Sequence, residues 1–303
     1  MAGGAPVVLN RRRSVPGKRI VAHSARHVVA VVASLFFLLP FLVAVLTSLK
    51  PNSVAQTQNA LSLPTSPTFA NYIQVFTLGG FGQFALNSII VSVTATIVQT
   101  AVCVLAGYAL AKLSFPGRRV LFIVVLMTLM VPPEALAIPL FLEVLRIPLA
   151  GGNDIMGSGG IGLQASYAGL IAPYLVSGFS IFLSRQFFLG LPSELGQAAR
   201  IDGCGEWNVF WRIYRPLATP LYMIVALFAF QNSWVAFLWP LITAGGPDHF
   251  TLQVGLSQFQ QQYTAQWGSL MAAAVVASLP ILVIFFFAQR HLREGIAFSG
   301  GKA

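Results

Sequence analysis

The sequence predicts an all-α, polytopic membrane protein with six transmembrane helices, and three observations carry this prediction. Hydrophobic residues make up 56% of the 303 positions and charged residues only 9%, whereas a soluble domain carries about 25% charged residues. The apolar residues gather in six segments, and a membrane-spanning helix needs roughly 20 apolar residues. The charged residues lie in short clusters between these segments, which is how membrane topology is set.

The six apolar segments follow one another from residue 27 to residue 289, and this range is the predicted membrane domain. The first two contain no charged residue. The third is interrupted by Pro132-Pro133-Glu134, and proline breaks a membrane helix unless its neighbours adjust. The predicted spans cover residues 27–49, 84–111, 119–142, 166–186, 217–243 and 267–289.

The basic residues predict the orientation of these spans. All of the 18 lysines and arginines except Lys50 and Arg146 fall on the side of the membrane that also holds the N-terminus. Because basic residues are enriched in cytoplasmic segments, we expect both termini to be cytoplasmic. Residues 1–26 then form a basic tail, and residues 290–303 form a second tail. The first apolar run is too long for a signal peptide, so we interpret it as an uncleaved helix.

The composition argues against several other functions. A net charge of +10 is typical of nucleic-acid-binding proteins, but here the basic residues flank apolar segments, so we expect no nucleic-acid partner. The two cysteines and four scattered histidines predict neither a disulfide framework nor a metal site. No glycine-rich phosphate loop with its lysine is present, so no nucleotide site is predicted. The sequence also lacks the paired acids or the histidine cluster that a membrane-embedded enzyme would need.

Two polar segments connect spans on the outer side of the membrane. The first, at residues 50–83, contains three prolines. The second, at residues 145–165, contains the glycine-rich outer loop, which we define as residues 150–163. Such a glycine content predicts a flexible, irregular connection.

The cytoplasmic segment between the fourth and fifth spans predicts a short helix. Ser193 is suited to cap its N-terminus, and Glu194 is favourably placed in its first turn. Gly203 is suited to end the helix. Three apolar residues share one face at helical spacing: Leu195, Ala198 and Ala199. Two interpretations stay open, namely an amphipathic helix on the bilayer surface and a knob for a cytoplasmic partner, in which the alanines allow close approach.

At these residues the sequence resembles the inner-membrane permeases of ABC importers. Their cytoplasmic signature runs Glu-Ala-Ala, then Asp-Gly three positions on, and later Ile-x-x-Pro. Here the signature reads Gln197-Ala198-Ala199-Arg200-Ile201-Asp202-Gly203, followed by Ile213-Tyr214-Arg215-Pro216. Gln197 stands in the place of the family's glutamate, which leaves a hydrogen bond but no salt bridge to a partner at this position.

The resemblance extends from the first span to about residue 295. It is closest to maltose-type carbohydrate permeases, and to the second of their two paired subunits. The stretches that match this subfamily are Ala70-Asn71-Tyr72, Asn87-Ser88, residues 108–117, Ile138-Pro139-Leu140-Phe141, residues 237–241 and residues 251–256. Two features depart from it, because Trp234 is followed by Val235-Ala236 in place of Asn-Asp, and because the glycine-rich outer loop is long.

The resemblance implies a permease subunit in a bacterial plasma membrane, which is not itself an enzyme and binds no cofactor. Its implied partners are a second permease subunit in a heterodimer, an ATPase dimer that holds ATP and Mg²⁺, an extracytoplasmic solute-binding protein and the lipid bilayer. The short helix would be the coupling helix that docks on the ATPase. The residues implied in this coupling are Glu194, Gln197, Ala198, Ala199, Ile201, Asp202, Gly203, Ile213 and Pro216.

Polar groups inside the spans must pair with one another or line a wet cavity. The candidate solute-pathway residues are Asn87, Gln99, Glu134, Gln231, Asn232 and Trp234. Hydrogen bonding between helices is the alternative for the polar groups, and packing is the alternative for the tryptophan. By resemblance the solute is a carbohydrate delivered by the binding protein. The other functions left open are an ABC permease for a polyamine or a glycerophosphodiester, and a secondary transporter, which would show inverted repeats.

Overall fold

The computed structural model describes residues 16–78, 80–262 and 266–300, and this part of the chain is helical without any strand. The all-α prediction is therefore confirmed for the described residues. Residues 1–15 and 301–303 of the two predicted tails lie outside them. The α-helices are α1 (Pro16–Ser48), α2 (Asn52–Ala55), α3 (Ala70–Leu78), α4 (Phe81–Lys112), α5 (Arg118–Thr128), α6 (Ala137–Leu145), α7 (Tyr167–Ile171), α8 (Gly178–Gly190), α9 (Glu194–Ile201), α10 (Glu206–Val209), α11 (Arg215–Leu217), α12 (Thr219–Trp234), α13 (Leu238–Thr243), α14 (Leu252–Gln262) and α15 (Trp267–Gly300).

Three of these helices are long and apolar enough to cross a membrane by themselves. The spanning parts are Arg26–Ser48 in α1, Phe81–Lys112, which is the whole of α4, and Trp267–Gln289 in α15. They lie where the first, second and sixth spans were predicted. Helix α1 begins ahead of its span at Pro16, and α15 continues beyond its span to Gly300. The described parts of both predicted tails are therefore helical.

Three bent helix pairs raise the number of candidate spans to six, if each pair is taken as one span. They lie in the regions of the third, fourth and fifth predicted spans. The pairs are Arg118–Thr128 with Pro133–Leu145, bent by 96°, Tyr167–Tyr174 with Gly178–Gly190, bent by 44°, and Glu206–Leu217 with Thr219–Trp234, bent by 80°.

Prolines account for the two sharpest breaks. After α5, Pro132 takes an extended conformation with φ −61° and ψ 131°, and Pro133 begins a short 3-10 turn. The residue ahead of a proline is pushed out of the helical region, so the span cannot run straight through this dipeptide. At the third bend Ala218 leaves the helical conformation, and Pro220 follows in the first turn of α12, where its missing N–H is tolerated.

The predicted fifth span, residues 217–243, is wrong as a continuous helix. Helix α12 ends at Trp234, and the chain becomes helical again only at α13. Pro240 explains the interruption, because in a continuous helix its ring would clash with the carbonyl of Ala236 four positions earlier. Hydropathy alone does not distinguish one long apolar helix from two apolar helices with a break between them.

Helix α4 lies at the centre of the bundle, where it packs against α8 and α12. Helix α1 packs mainly against α15 and leaves large apolar side chains exposed along most of its length, as does α5. Such surfaces are expected to face lipid, since a bilayer solvates apolar side chains. Representative exposed residues are Phe37, Val120, Met127 and Phe286.

A network of buried polar groups joins the outer ends of α1, α3 and α15. The side-chain amide of Asn71 donates to the carbonyl oxygens of Ser48 and Lys50, each at 2.7 Å. Ser269, at the start of α15, donates to Gln74 Oε1 at 2.7 Å. These bonds hold the first outer loop against the first and last spans, and they satisfy polar groups that would be costly to bury alone.

The glycine-rich outer loop is compact and hydrogen-bonded, and it is irregular as predicted, because no helix or strand lies within residues 150–163. The N–H of Leu163 donates to the carbonyl oxygen of Val144 at 2.9 Å. A Cβ added at Gly162 would lie only 2.2 Å from that same oxygen. Glycine therefore serves here to let two backbone segments touch, which any side chain would prevent.

Candidate functional site

Helix α9 stands between α8 and α12, where the short cytoplasmic helix was predicted. At its end the N–H of Cys204 donates to the carbonyl of Ala199 at 2.9 Å, and the N–H of Gly203 donates to the carbonyl of Arg200 at 3.1 Å. Gly203 has a φ of 83°, the left-handed conformation that this kind of helix end requires. The predicted role of Gly203 in ending the helix is confirmed.

The predicted N-cap of α9 is wrong. Ser193 has helical dihedrals, φ −77° and ψ −23°, and its side chain makes no capping bond. Its hydroxyl instead accepts a hydrogen bond from Lys112 Nζ at 3.3 Å, and the same ammonium donates to the carbonyl of Leu191 at 2.7 Å. The hydroxyl of Ser193 therefore bonds to a lysine from α4 and not, as predicted, to a backbone N–H in the first turn of α9. Glu194 lies in the first turn, as predicted.

The inward face of α9 consists of Gly196 and Ala199, which are both buried. A Cβ added at Gly196 would lie 2.8 Å from the hydroxyl oxygen of Tyr214. That tyrosine is itself buried, and its hydroxyl donates to the carbonyl of Pro192 at 3.3 Å. Glycine therefore lets α9 rest directly on the tyrosine side chain.

Tyr214 belongs to an aromatic cluster at the end of the bundle that carries α9, formed by Tyr108, Phe188, Phe210 and Tyr214. The ring centroid of Tyr108, from α4, lies 4.9 Å from that of Phe210 and 5.5 Å from that of Tyr214. Phe188, from α8, lies 5.5 Å from Tyr108. Because Ala199 is buried in the same core, α9 is seated on side chains that belong to two spans and to the segment ahead of α12.

Ala198 and Ala199 do not share a surface, which corrects the face predicted from spacing. Ala199 is 6% exposed and packs inward, whereas Ala198 is exposed. Consecutive residues of a helix are about 100° apart, which lets Ala199 face the bundle while Ala198 is exposed. The outward face of α9, which we define as Leu195, Ala198 and Ile201, is exposed, and Ile201 reaches 86%.

The other residues implied in coupling surround this outward face or lie behind it. Ile213 is half-buried and packs against the core beneath α9. The remaining ones are exposed: Glu194, Gln197, Asp202, Gly203 and Pro216. Trp207, on α10, adds a further exposed apolar side chain near this face.

An ion pair that the sequence did not predict joins α9 to α10. Arg200 Nε lies 2.6 Å from Glu206 Oε1, and Arg200 Nη2 donates to Glu206 Oε2 at 3.1 Å. The hydroxyl of Tyr108 donates to the same carboxylate at 3.5 Å. The hydrogen bond to Glu206 raises the pKa of the Arg200 guanidinium. Both partners are partly exposed, so the pair is worth less than about 1 kcal/mol, and its main effect is to fix the turn at Gly203.

A cavity of about 940 Å³ lies inside the bundle, near the upper end of the roughly 300–1,000 Å³ found for small-molecule sites. Its wall is formed by residues from α4, α5, α6, α8, α12 and α13 and from the 3-10 turn ahead of α6. Three of the predicted pathway residues line it, namely Gln99, Glu134 and Asn232.

Glu134 reaches the cavity because its helix is broken. The residue lies in the 3-10 turn Pro133–Leu136, at the 96° bend between α5 and α6. An irregular backbone at membrane depth is tolerated where it lines a water-filled cavity, and Glu134 is exposed there. The dipeptide Pro132-Pro133 in the sequence is therefore the signal that locates this acid.

Gln99 contributes a second polar side chain to the cavity lining. It is buried on α4, and its amide nitrogen donates to Ser180 Oγ at 3.0 Å. Its Oε1 finds no partner within the described part of the chain. Buried polar atoms are normally paired, so this oxygen is an exception that lies in the wall region of the cavity.

Aromatic side chains provide much of the remaining wall. The indole nitrogen of Trp239 donates to the carbonyl of Gly169 at 3.1 Å, which fixes its ring beside the cavity. The aromatic lining residues are Tyr174, Phe179, Phe228, Phe237 and Trp239. The cavity therefore combines flat apolar faces with a few polar groups.

Asn87 is not among the residues that line this cavity, and its place in the solute pathway stays a prediction. Its amide nitrogen donates to the carbonyl oxygens of Asp248 and Phe250, at 2.8 Å and 2.9 Å. Its Oδ1 accepts a bond from the hydroxyl of Tyr167 at 2.7 Å. Asn87 thus ties α4 to two segments that are distant in sequence, and these bonds favour the alternative interpretation, hydrogen bonding between helices.

Trp234 and Gln231 are also absent from the cavity wall. Trp234 is buried between α12 and α15, where its indole nitrogen donates to the carbonyl of Ala277 at 2.9 Å and its ring stacks on Phe230 with centroids 5.4 Å apart. Gln231 is exposed on another side of α12. Asn232 and Trp234 are two positions apart and therefore about 200° apart around α12, and only the packing of the bundle decides which of them meets the cavity.

The chain matches a known protein family and is similar to several named permeases. Residues 103–297 match the family described as binding-protein-dependent transport system inner membrane component. The chain is 35% identical over 273 residues to the arabinooligosaccharides transport system permease protein AraQ of Bacillus subtilis, with 89% of this chain and 92% of that protein covered. It is 30% identical over 291 residues to the diacetylchitobiose uptake system permease protein NgcG of Streptomyces coelicolor, with 95% and 91% covered.

The fold is similar to a chain in the crystal structure of a bacterial ABC transporter involved in the import of the acidic polysaccharide alginate. The TM-score is 0.75, and the alignment covers 91% of this chain and 98% of that one. At 21% sequence identity the likeness is one of fold.

Proposed function

Because the chain belongs to the family of binding-protein-dependent transport system inner membrane components, we propose that it forms half of the translocation pathway of an ATP-driven carbohydrate importer. The family resemblance of residues 197–216 is confirmed. The chain is a multi-pass permease that works with the other components of an ABC system, and such permeases are not themselves enzymes. The observation that carries the proposal is α9, whose outward face is exposed and whose inward face rests on Tyr214 and thereby on the spans around the cavity.

In the proposed assembly this chain pairs with a second permease subunit, and both termini are cytoplasmic. ATP is hydrolysed in a separate ATPase dimer, which binds the outward face of α9. An extracytoplasmic binding protein delivers the solute on the other side of the membrane. The distribution of basic residues supports the orientation, because all but Lys50 and Arg146 fall on the side of α9.

The aromatic cluster offers a physical route from α9 to the cavity. Tyr214 shares a core with Leu221 in the first turns of α12. Asn232, in the cavity wall, follows Leu221 by eleven positions on the same helix, which corresponds to about 16 Å at 1.5 Å per residue. A push on α9 would therefore act on α12 through close-packed side chains, and α12 would move the cavity wall.

The cavity suits a solute with many hydroxyl groups. The carboxylate of Glu134 is an acceptor, and the side-chain amide of Asn232 is both donor and acceptor. Apolar sugar faces pack on aromatic rings, which the wall also provides. The names of two relatives, which concern arabinooligosaccharides and diacetylchitobiose, support the same class of solute.

Reconstitution of the whole system tests the proposed function. The chain would be co-expressed with candidate partners, namely a second permease, an ATPase and a binding protein, and the complex placed in lipid nanodiscs and proteoliposomes. We expect ATP-dependent uptake of an oligosaccharide, and ATPase activity stimulated by the sugar-loaded binding protein. Stimulation by a polyamine or a glycerophosphodiester alone would overturn the carbohydrate assignment, and uptake that needs no ATP would indicate a secondary transporter.

The variant Glu134→Gln tests the cavity as the solute pathway. Hydrogen bonds to a charged group are worth about 1.5–3 kcal/mol, so removing the charge should lower the rate of uptake at least about tenfold. Expression and the amount of bound ATPase should stay unchanged, because Glu134 is remote in sequence and position from α9. Uptake of radiolabelled solute into proteoliposomes gives the rate.

Glu143→Gln is the matched control for this substitution. Glu143 lies on α6, is exposed, and is not among the residues that line the cavity. We expect it to transport like the wild type. Full uptake by the Glu134→Gln variant would remove this residue from the pathway.

A further inference from the structure

The glycine-rich outer loop is held in shape by two adjacent side chains. Asn153 is buried, its amide nitrogen donates to the carbonyls of Leu145 and Ile147 at 2.8 Å and 2.9 Å, and its Oδ1 accepts from the N–H of Gly160 at 2.8 Å. One carboxylate oxygen of Asp154 accepts from the N–H of two further loop residues. Together these five bonds connect the tip of the loop to the end of α6.

This scaffold presents apolar side chains outward. Ile155 is 78% exposed and Met156 is 84% exposed, although they directly follow the two residues that hold the loop. Ile161, in the second half of the loop, is also exposed. An ordered loop with apolar side chains at its tip is typical of a binding surface, because ordering those side chains costs little further entropy on association.

Lipid does not fit as the occupant of this surface. No helix or strand lies between the end of α6 at Leu145 and the start of α7 at Tyr167. Irregular backbone leaves N–H and carbonyl groups that only water or protein can satisfy, so it does not lie in the hydrocarbon region of a bilayer. The exposed tip therefore faces the aqueous side of the membrane, where a protein is the partner that can cover it.

The position of the loop indicates which protein. Leu140 lines the cavity, and α6 ends five residues later at Leu145, about 8 Å along the helix. At its other end the loop connects to α13, since the N–H of Ala165 donates to the carbonyl of Thr243 at 2.9 Å. Helix α13 also contributes to the cavity wall. The loop thus lies on the outer side of the cavity, where a solute must arrive.

We propose that the tip of the glycine-rich outer loop, Ile155 and Met156, is a docking surface for the extracytoplasmic solute-binding protein. The proposal rests on the proposed function, and it names a contact that the signature residues of the family do not include. The apolar pair would insert into a complementary apolar pocket of the binding protein. The hydrogen bonds of Asn153 and Asp154 would keep the pair in position and pass contact forces to α6 and to the cavity.

The double variant Ile155→Ser/Met156→Ser tests this surface in the complete importer in nanodiscs. Replacing two anchoring apolar side chains should raise the concentration of binding protein that gives half-maximal ATPase stimulation at least about tenfold. Basal ATPase activity and the composition of the complex should match the wild type. Leu63→Ser is the matched control, because Leu63 is 76% exposed on the other outer loop, and its titration curve should match the wild type.

An unchanged half-maximal concentration in the double variant would overturn the proposal. If the binding protein fails to stimulate even the wild-type importer, the proposed function fails instead, so the two failures are distinguishable. Should the double variant assemble poorly, Met156→Cys labelled with a photoreactive benzophenone gives a direct test. We expect crosslinks to the binding protein that are absent from the wild-type chain labelled in the same way, and crosslinks only to lipid or to the second permease would overturn the proposal.

Discussion

The variant Ala198→Glu is expected to lose the partner ATPase almost completely. Ala198 lies at the centre of the exposed outward face of α9, between Leu195 and Ile201. A carboxylate buried against an apolar groove without a partner costs several kcal/mol, which corresponds to a loss of affinity of at least about a hundredfold. The ratio of ATPase to permease after affinity purification in mild detergent gives the result.

Gln197→Glu is the control for this prediction. It introduces the same charge one position earlier, on an exposed residue, and it restores the residue that the family carries there. We expect normal or improved recovery of the ATPase. Normal co-purification of the Ala198→Glu complex would contradict docking through the outward face of α9.

Ala199 would be a misleading choice for the same experiment. Its side chain packs into the core beneath α9, so a glutamate there would place a charge among aromatic rings and detach the helix from the bundle. Loss of the ATPase from an Ala199→Glu variant would then report a folding defect. The two alanines are equivalent in the family signature, and only the structure separates contact with the partner from contact with the bundle.

The variant Trp234→Ala is expected to show the largest loss of stability in the chain. Trp234 is fully buried, stacks on Phe230 and donates a hydrogen bond to the carbonyl of Ala277. Truncating a buried tryptophan to alanine costs about 3–5 kcal/mol, because apolar contacts are lost and a cavity is left. Thermal unfolding of the purified permease in detergent, followed by loss of the monodisperse peak, gives the change.

Trp234→Phe separates packing from the hydrogen bond. Phenylalanine retains a ring to stack on Phe230 but removes the indole donor. We therefore expect the free energy of unfolding to fall by only about 1–2 kcal/mol for the lost hydrogen bond, together with a small further loss because the side chain is smaller. Transport per folded molecule should be unchanged in both variants. A Trp234→Ala protein that unfolds like the wild type but fails to transport would instead support the solute-pathway role predicted from the sequence.

The sequence was most informative where the determining forces act over short stretches of chain. Hydropathy located the spans, and Pro132-Pro133 marked the break that holds Glu134. The residues of α9 and the glycine that ends it were predictable, because helix formation and left-handed glycine depend on neighbouring residues. The same local reasoning failed at Ser193, whose predicted capping bond is displaced by a lysine from α4.

Polar residues in the spans were harder to assign, since each of them can either form hydrogen bonds with another segment or line a cavity. Asn87 and Gln99 both lie on α4, and both are buried. Asn87 bonds to three groups more than 70 positions away in sequence, besides Gln83 on its own helix, whereas the side-chain oxygen of Gln99 has no partner within the described residues. The difference depends on which distant segments reach each side chain.

By itself, the sequence determined that this chain crosses the membrane several times, with basic segments on one side and a small-residue helix between the fourth and fifth spans. Composition and local turns decide these features, because lipid selects apolar stretches and helix ends depend on near neighbours. Only the tertiary structure decided that Ala199 faces the bundle, that Arg200 meets Glu206, that Trp234 packs while Asn232 lines the cavity, and that a glycine-rich loop is compact. Each of these features depends on which helices pack against each other. A shift of one position along a helix turns a side chain by about 100°, which is enough to exchange a core contact for an exposed one.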